Sequence, residues 1–156
     1  MAGSIENRLA ELGIVLPTPA APLANYVPFV VQGELVVVSG QLPMCDGKLA
    51  FTGKLGDSGL TIEQGQEAAR LCFVNLLAQL RVACGGDLGR VRRVVRLGGF
   101  IAAPPAFTAH AQVMNGASNL AVAVFGELGR HARNTIGVPS LPADAPVEVE
   151  GMFAIG

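Results

Sequence analysis

Apolar and polar residues alternate with a period of two in Val147-Glu148-Val149-Glu150-Gly151-Met152-Phe153, close to the end of the chain. The pattern predicts a strand with Val147, Val149, Gly151 and Phe153 on one face and Glu148, Glu150, Met152 and Ala154 on the other. A second β-prone run, His131 to Val138, lies ahead of it across Pro139-Ser140-Leu141-Pro142-Ala143-Asp144-Ala145-Pro146. The prolines of that segment cannot donate ladder hydrogen bonds and so mark a connection. Arg133 opens the first run and Glu148 lies inside the second. If the two strands are neighbours, a guanidinium and a carboxylate converge on one pocket that can hold a small carboxylate and position a water. An ordinary strand with solvated glutamates is the plain alternative.

Earlier in the chain, Val27 to Val31 and Glu34 to Ser39 form β-rich runs separated by Gln32-Gly33, a hairpin signal. Leu35-Val36-Val37-Val38 is continuously apolar, which predicts burial on both faces. It ends in Ser39-Gly40-Gln41-Leu42-Pro43, placing a hydroxyl and an amide at the mouth of the strand, although plain turn chemistry explains them equally well. A loop through Asp46-Gly47 leads to a short strand near Leu49 to Thr52.

Helical periods fill the remainder. Ser4 caps a short helix to about Leu12, with Gly13 as its stop, and Pro17 to Pro22 form an extended lead-in. Thr61-Ile62-Glu63-Gln64 reads as a capping box for a helix to about Ala83, stopped by Gly85-Gly86. Arg90 to Leu97, then Phe100-Ile101, read as a strand with Arg90, Arg92 and Arg96 on one face and Arg93 on the other. Asn115-Gly116 divides the next segment into a loop and a helix from about Ser118 to Leu128. The order is β-β-(β)-α-β-α-β-β. It predicts an α+β sandwich with two helices on one face of a mixed sheet, and the other face needs a cover.

Composition sharpens that last point. The 156 residues suit a single domain over 1–156, the first 24 or so being helix and lead-in, and only 15% of them are charged, against about 25% in a typical domain. A face covered by other copies of the chain accounts for the shortage. The net charge of −1 provides no field to recruit nucleic acid, and the four clustered arginines lack interleaved aromatics. Cys45, Cys72 and Cys84 are odd in number and form no CxxC pair, so nothing suggests a disulfide framework or a zinc site, and a reducing cytoplasm is the simplest home. There is no secretory signal pattern and no apolar run of ~18 residues, so no membrane span is expected. No metal or cofactor motif is present, and His110 and His131 stand too far from other ligands or nucleophiles in sequence to assign.

Four segments carry a resemblance to a known family: Tyr26-Val27, Val38-Ser39-Gly40-Gln41-Leu42-Pro43, Ala132-Arg133, and Val147-Glu148-Val149-Glu150 placed behind Leu141-Pro142. Over roughly Asn25 to Phe153 the chain resembles the YjgF/Rid family, the reactive-intermediate deaminases, also labelled L-PSP-like. The resemblance implies a chorismate-mutase-like fold, a homotrimer around a central barrel, and sites in the clefts between subunits. It implies hydrolysis of enamines and imines such as 2-aminoacrylate to a 2-keto acid and ammonia. Arg133 would hold the substrate carboxylate, Glu148 would handle the water and its proton, and Tyr26 and Ser39 would line the cleft. Either Asn115 or Asn119 would match the asparagine of the family's second helix. The family usually has Ser-Cys after the arginine, whereas Asn134 and Thr135 stand here. A non-catalytic binding or regulatory module using the Arg133 cleft is the first rival, and RNA cleavage or binding the second.

Overall fold

The computed structural model describes residues 2–19, 21–22 and 24–156. In chain order the elements are α1 (Ala2–Glu11), β1 (Phe29–Gln32), β2 (Leu35–Gln41), β3 (Met44–Cys45), β4 (Lys48–Leu49), α2 (Ile62–Ala83), β5 (Val91–Ala102), α3 (His110–Phe125), β6 (Ala132–Val138) and β7 (Val147–Ile155). Five strands make one mixed sheet in the order β1-β2-β7-β5-β6, in which only β5 and β6 run parallel. Helix α3 is the crossover between these two, as a parallel pair requires. The fold is α+β, with α2 and α3 packed on one face of the sheet.

The alternation in β7 is realised as predicted. Val147, Val149 and Phe153 are completely buried beneath the helices, while Glu148 and Glu150 turn to the opposite face. Against them α2 packs Cys72, Phe73, Leu76, Leu77 and Leu80, and α3 packs Val113, Met114, Ala117 and Ala121. Truncating a fully buried aromatic such as Phe73 or Phe153 to alanine costs about 3–5 kcal/mol. The capping box of α2 is complete. Thr61 Oγ1 accepts from the Gln64 N–H at 3.1 Å, and Gln64 Oε1 accepts from the Thr61 N–H at 2.9 Å. Gly13 and Gly85, at φ 69° and 68°, end α1 and α2 through paired bonds to carbonyls three and five residues back.

Several sequence expectations are corrected. Helix α1 begins at Ala2, so Ser4 is an interior helical residue and not the cap. Ala20, within the expected lead-in, lies outside the described residues. The β1–β2 turn is Gly33-Glu34, one residue later than expected. The short strand near Leu49 ends at Leu49 and pairs with β3 across Asp46-Gly47, both at positive φ.

The expected break at Asn115-Gly116 is absent, and α3 runs straight through it. A Cβ at Gly116 would collide with the Gln66 carbonyl of α2, so this glycine serves helix–helix contact rather than helix ending. In β5 the register slips between Val91 and Arg93 and again between Val94 and Arg96. These irregularities undo the expected parity: Arg92 and Arg93 are both exposed, and Arg90 lies in a 3-10 turn before the strand.

Strand β2 is not buried on both faces. Val36 and Val38 are covered by the helices, but Val37 on the other face is 37% exposed. Its partner Val30 on β1 is 50% exposed, and so, three strands away on β6, is Ile136 at 46%. Apolar residues on either side of Glu148 and Glu150 are therefore uncovered on the outer face of the isolated chain.

Candidate functional site

The ladder register decides what Arg133 and Glu148 can do together. Strand β5 lies between β6 and β7, so the strands carrying the two residues are not neighbours, contrary to the arrangement on which a shared pocket depended. Arg133 stands opposite Leu97, which is buried under the helices, so its side chain leaves the sheet on the helix face. Glu148 stands opposite Phe100 and leaves on the outer face. Two strand spacings and three residues of register separate them, roughly 10 Å in each direction. One protomer therefore carries two separate groups of candidate residues.

The first group is built on β6 and α3. Arg133 Nη1 donates to Asn115 Oδ1 at 2.8 Å and to Ser118 Oγ at 3.1 Å, and Nη2 donates to the Ala111 carbonyl at 3.3 Å. All three acceptors are neutral, and no acidic side chain pairs with Arg133 among the described residues. Of its five N–H donors, three are engaged, leaving the Nε–H and one on Nη2. Those remaining donors match the two oxygens of a carboxylate. Asn115 is thus the asparagine that reaches the arginine. Asn119 instead lines a groove between α2 and α3 with Gln66, Glu67 and Arg70.

Two members of this group were not assigned from sequence. Ser118 Oγ lies 2.8 Å from His131 Nε2, and His131 Nδ1 lies 2.6 Å from the Gly129 carbonyl oxygen. The signal was available in spacing: Asn115 and Ser118 are one helical turn apart, and His131 and Arg133 share strand parity. Breaking the helix at Gly116 concealed the first of these relations.

The second group gathers where β2 ends against β7. The pairing of β2 with β7 is irregular between Val38 and Gln41, and Gly40 lies there under the Glu148 carboxylate. A Cβ at Gly40 would strike Glu148 Oε1, so only glycine permits this approach. Ser39 Oγ donates to the Val27 carbonyl at 2.7 Å and thereby ties the Tyr26-Val27 segment to the end of β2. Tyr26 and Ser39 line a cavity of about 180 Å3 with Gly40, Gln41 and Leu42. Burial raises the Glu148 carboxyl above its usual pKa, and the nearby charge of Glu150 raises it further. Glu150 itself is 3.5 Å from Arg96. Glu148 accepts no side-chain hydrogen bond among the described residues, so a raised, half-buried carboxylate faces outward without a partner.

With this geometry defined, the relatives are informative. The family described as "YjgF/chorismate_mutase-like, putative endoribonuclease" matches residues 6–154. Protein TCP17 of Trypanosoma cruzi is 48% identical over 155 residues, covering 99% of this chain and 96% of that protein. The crystal structure of Atu1372 from Agrobacterium tumefaciens, described as of unknown function, superposes with a TM-score of 0.93 at 49% identity. That match covers 99% of this chain and 94% of the other. A Shewanella oneidensis structure described as a "putative endoribonuclease" also gives 0.93, at 36% identity over 97% of this chain and 99% of its own. The chain belongs to the YjgF family.

In this YjgF-family chain three of the arginines that suggested RNA donate to main-chain carbonyls. Arg90 donates to the Cys84 and Gly156 carbonyls, Arg92 to that of Gly89, and Arg93 to those of Glu127 and Arg130. Among the described residues no cluster of three or more His, Cys, Asp or Glu is placed to hold a metal ion. No described helix is long and apolar enough to cross a membrane.

Proposed function

We propose that this YjgF-family protein hydrolyses small enamines and imines that carry a carboxylate, releasing a 2-keto acid and ammonia. The observation that carries the reading is Arg133, a half-buried guanidinium with neutral partners only and two donors left for an anion. A serine or cysteine nucleophile is not required, because water can add directly to the electrophilic C=N carbon.

The site is completed between copies of the chain. Arg133 and Glu148 leave opposite faces of one sheet, so the carboxylate clamp of one protomer meets the proton acceptor of another. The uncovered Val30, Val37 and Ile136 supply apolar surface for a homotrimer. In the proposed reaction the carboxylate docks on the two remaining Arg133 donors. Glu148 takes a proton from the water as its oxygen bonds to the imine carbon. The proton passes on to the imine nitrogen to give a carbinolamine; Glu148 then carries the hydroxyl proton to the same nitrogen, ammonia leaves, and the carbonyl of the keto acid forms. Tyr26 lines the cleft, held in place by Ser39.

Imines generated in situ from several amino acids by an amino-acid oxidase test the reading. Keto-acid release faster than the spontaneous rate is expected, from a particle of three times the 16.0 kDa chain mass. Keto-acid binding without acceleration would make the protein a binding or regulatory module. A stable monomer would remove the shared site altogether.

A further inference from the structure

Ser118 and His131 touch neither of the donors that Arg133 presents, yet their hydrogen bonds form a line with a fixed direction. A carbonyl oxygen can only accept, so the 2.6 Å contact with Gly129 puts the His131 proton on Nδ1. In the neutral ring Nε2 is then an acceptor, and the Ser118 hydroxyl must donate to it across 2.8 Å. That leaves the Ser118 lone pairs for the Arg133 Nη1–H at 3.1 Å. The direction runs from guanidinium to serine to imidazole to main-chain carbonyl, and each link fixes the next.

Rotation of the guanidinium about its last side-chain bond decides which donors face α3 and which face the cleft. Asn115 alone is a single contact about which the group can still pivot, and the second Nη1–H on Ser118 Oγ removes that freedom. Ser118, oriented by His131, can only accept from Arg133. Ser118 and His131 do form a hydroxyl–imidazole pair like that of a nucleophilic serine. However, Ser118 Oγ sits behind the guanidinium, among the anchoring contacts on α3.

We infer that Ser118 and His131 are positioning residues that lock the rotation of Arg133, so that its Nε–H and one Nη2 N–H face a small planar carboxylate such as a 2-keto or 2-imino acid. The inference rests on the proposed carboxylate-clamp role of Arg133. The role is one of selectivity for the carboxylate, and the proton transfer stays with Glu148.

The test compares binding of a stable 2-keto acid and of its neutral 2-keto amide to the intact oligomer. Ser118→Ala and His131→Ala should weaken keto-acid binding roughly two- to tenfold, the size of one neutral hydrogen bond, and leave amide binding unchanged. The acid-to-amide preference therefore falls, KM for the imine rises in step, and kcat stays within about twofold. Ser118→Thr, which keeps the hydroxyl, and His131→Gln, which keeps an acceptor near the Nε2 position, should restore most of the preference. Circular dichroism and particle mass identify variants that fail to fold, and the Thr and Gln variants then decide. If Arg133→Ala leaves keto-acid binding intact, the clamp reading itself falls. If Arg133→Ala weakens it while Ser118→Ala and His131→Ala keep the acid-to-amide preference, only the relay is overturned. Equal weakening of both ligands, or covalent labelling of Ser118 by a fluorophosphonate, would also overturn it.

Discussion

The two ends of the proposed site handle charge in opposite ways. At the β6–α3 end the cation is anchored: Arg133 has three neutral acceptors, and one of these, Ser118, is oriented in turn by His131. At the β2–β7 end the anion has no hydrogen-bonding side chain among the described residues, sits over a glycine, and lies near another carboxylate. A binding group benefits from a fixed direction, because orientation sets selectivity. A proton acceptor benefits from the reverse, since each donor held to a carboxylate lowers its basicity. The contrast supports the proposal that the first end binds and the second transfers the proton.

The largest expected effect comes from Glu148→Gln. Removing a general base typically costs about 10²- to 10⁴-fold in rate, and kcat for imine hydrolysis should fall by that amount. Binding of a stable keto acid should hardly change, because the clamp belongs to the other end. Single-turnover kinetics beside calorimetry separate the two quantities. A variant that loses binding as well as turnover would erase the division of labour.

Arg133→Lys should come next. The ammonium keeps the charge but cannot offer two parallel donors from a planar fork. A loss of about 1.5–3 kcal/mol, or roughly ten- to a hundredfold in kcat/KM, is expected. Here the keto acid should bind more weakly as well, the converse of the Glu148 result.

Gly40→Ala probes the second end without replacing a charged residue. The added methyl must displace the Glu148 carboxylate, and a loss on the order of tenfold in kcat is expected. In a Glu148→Gln background the same change should cost much less, because the displaced group no longer takes part. Additive losses would place the Gly40 effect elsewhere.

How much of this was legible in sequence depended on the reach of each signal. The β7 alternation, the Thr61–Gln64 box and the Gly85 stop are local patterns, and each is found as read. Two departures came from packing between elements distant in sequence. Gly116 reads as a breaker until Gln66 of α2 is seen lying against it. The β5 irregularities shift the arginines by amounts that no period shows. At the proposed site, Arg133 and Glu148 stand out in the sequence as candidates, but their separation does not, because strand order is a property of topology. With α3 wrongly broken, Asn115 and Asn119 remained equivalent, and the Ser118–His131 contact was invisible.

A smaller effect concerns pH. Burial, then the charge of Glu150, favours the protonated Glu148, so its folded-state pKa is raised above its ordinary value. The basic form is lost as pH falls through that raised value, and kcat/KM should fall there too, at higher pH than a solvated carboxylate would give. Glu150→Gln removes the second cause and should move this acid limb to lower pH. The sign for folding is opposite to that for activity. A raised pKa favours the folded state fully below the unfolded value, and this contribution is lost as pH rises through the folded one. Glu148→Gln should therefore raise Tm at neutral pH while it lowers kcat, which thermal melts of the two proteins check.

The smallest expected effect is that of alkylating the thiols. Neither end of the site contains a cysteine, and Thr135 occupies the position where the family usually has one. Cys72 comes nearest, its Sγ lying 3.5 Å from the carbonyl of Val147, next to Glu148 on β7. Burial pushes this thiol well up, and the Glu148 charge pushes it the same way, which disfavours the thiolate that a nucleophile requires. Cys84 is raised as well, again chiefly by burial, which leaves the exposed Cys45 as the reactive thiol. Cys45 lies on β3, outside both groups of residues. Iodoacetamide should modify one site per folded chain and leave imine turnover within about twofold, as should Cys45→Ser. Loss of turnover with the oligomer intact would require a sulfur nucleophile, and the assignment of proton transfer to Glu148 would then fail.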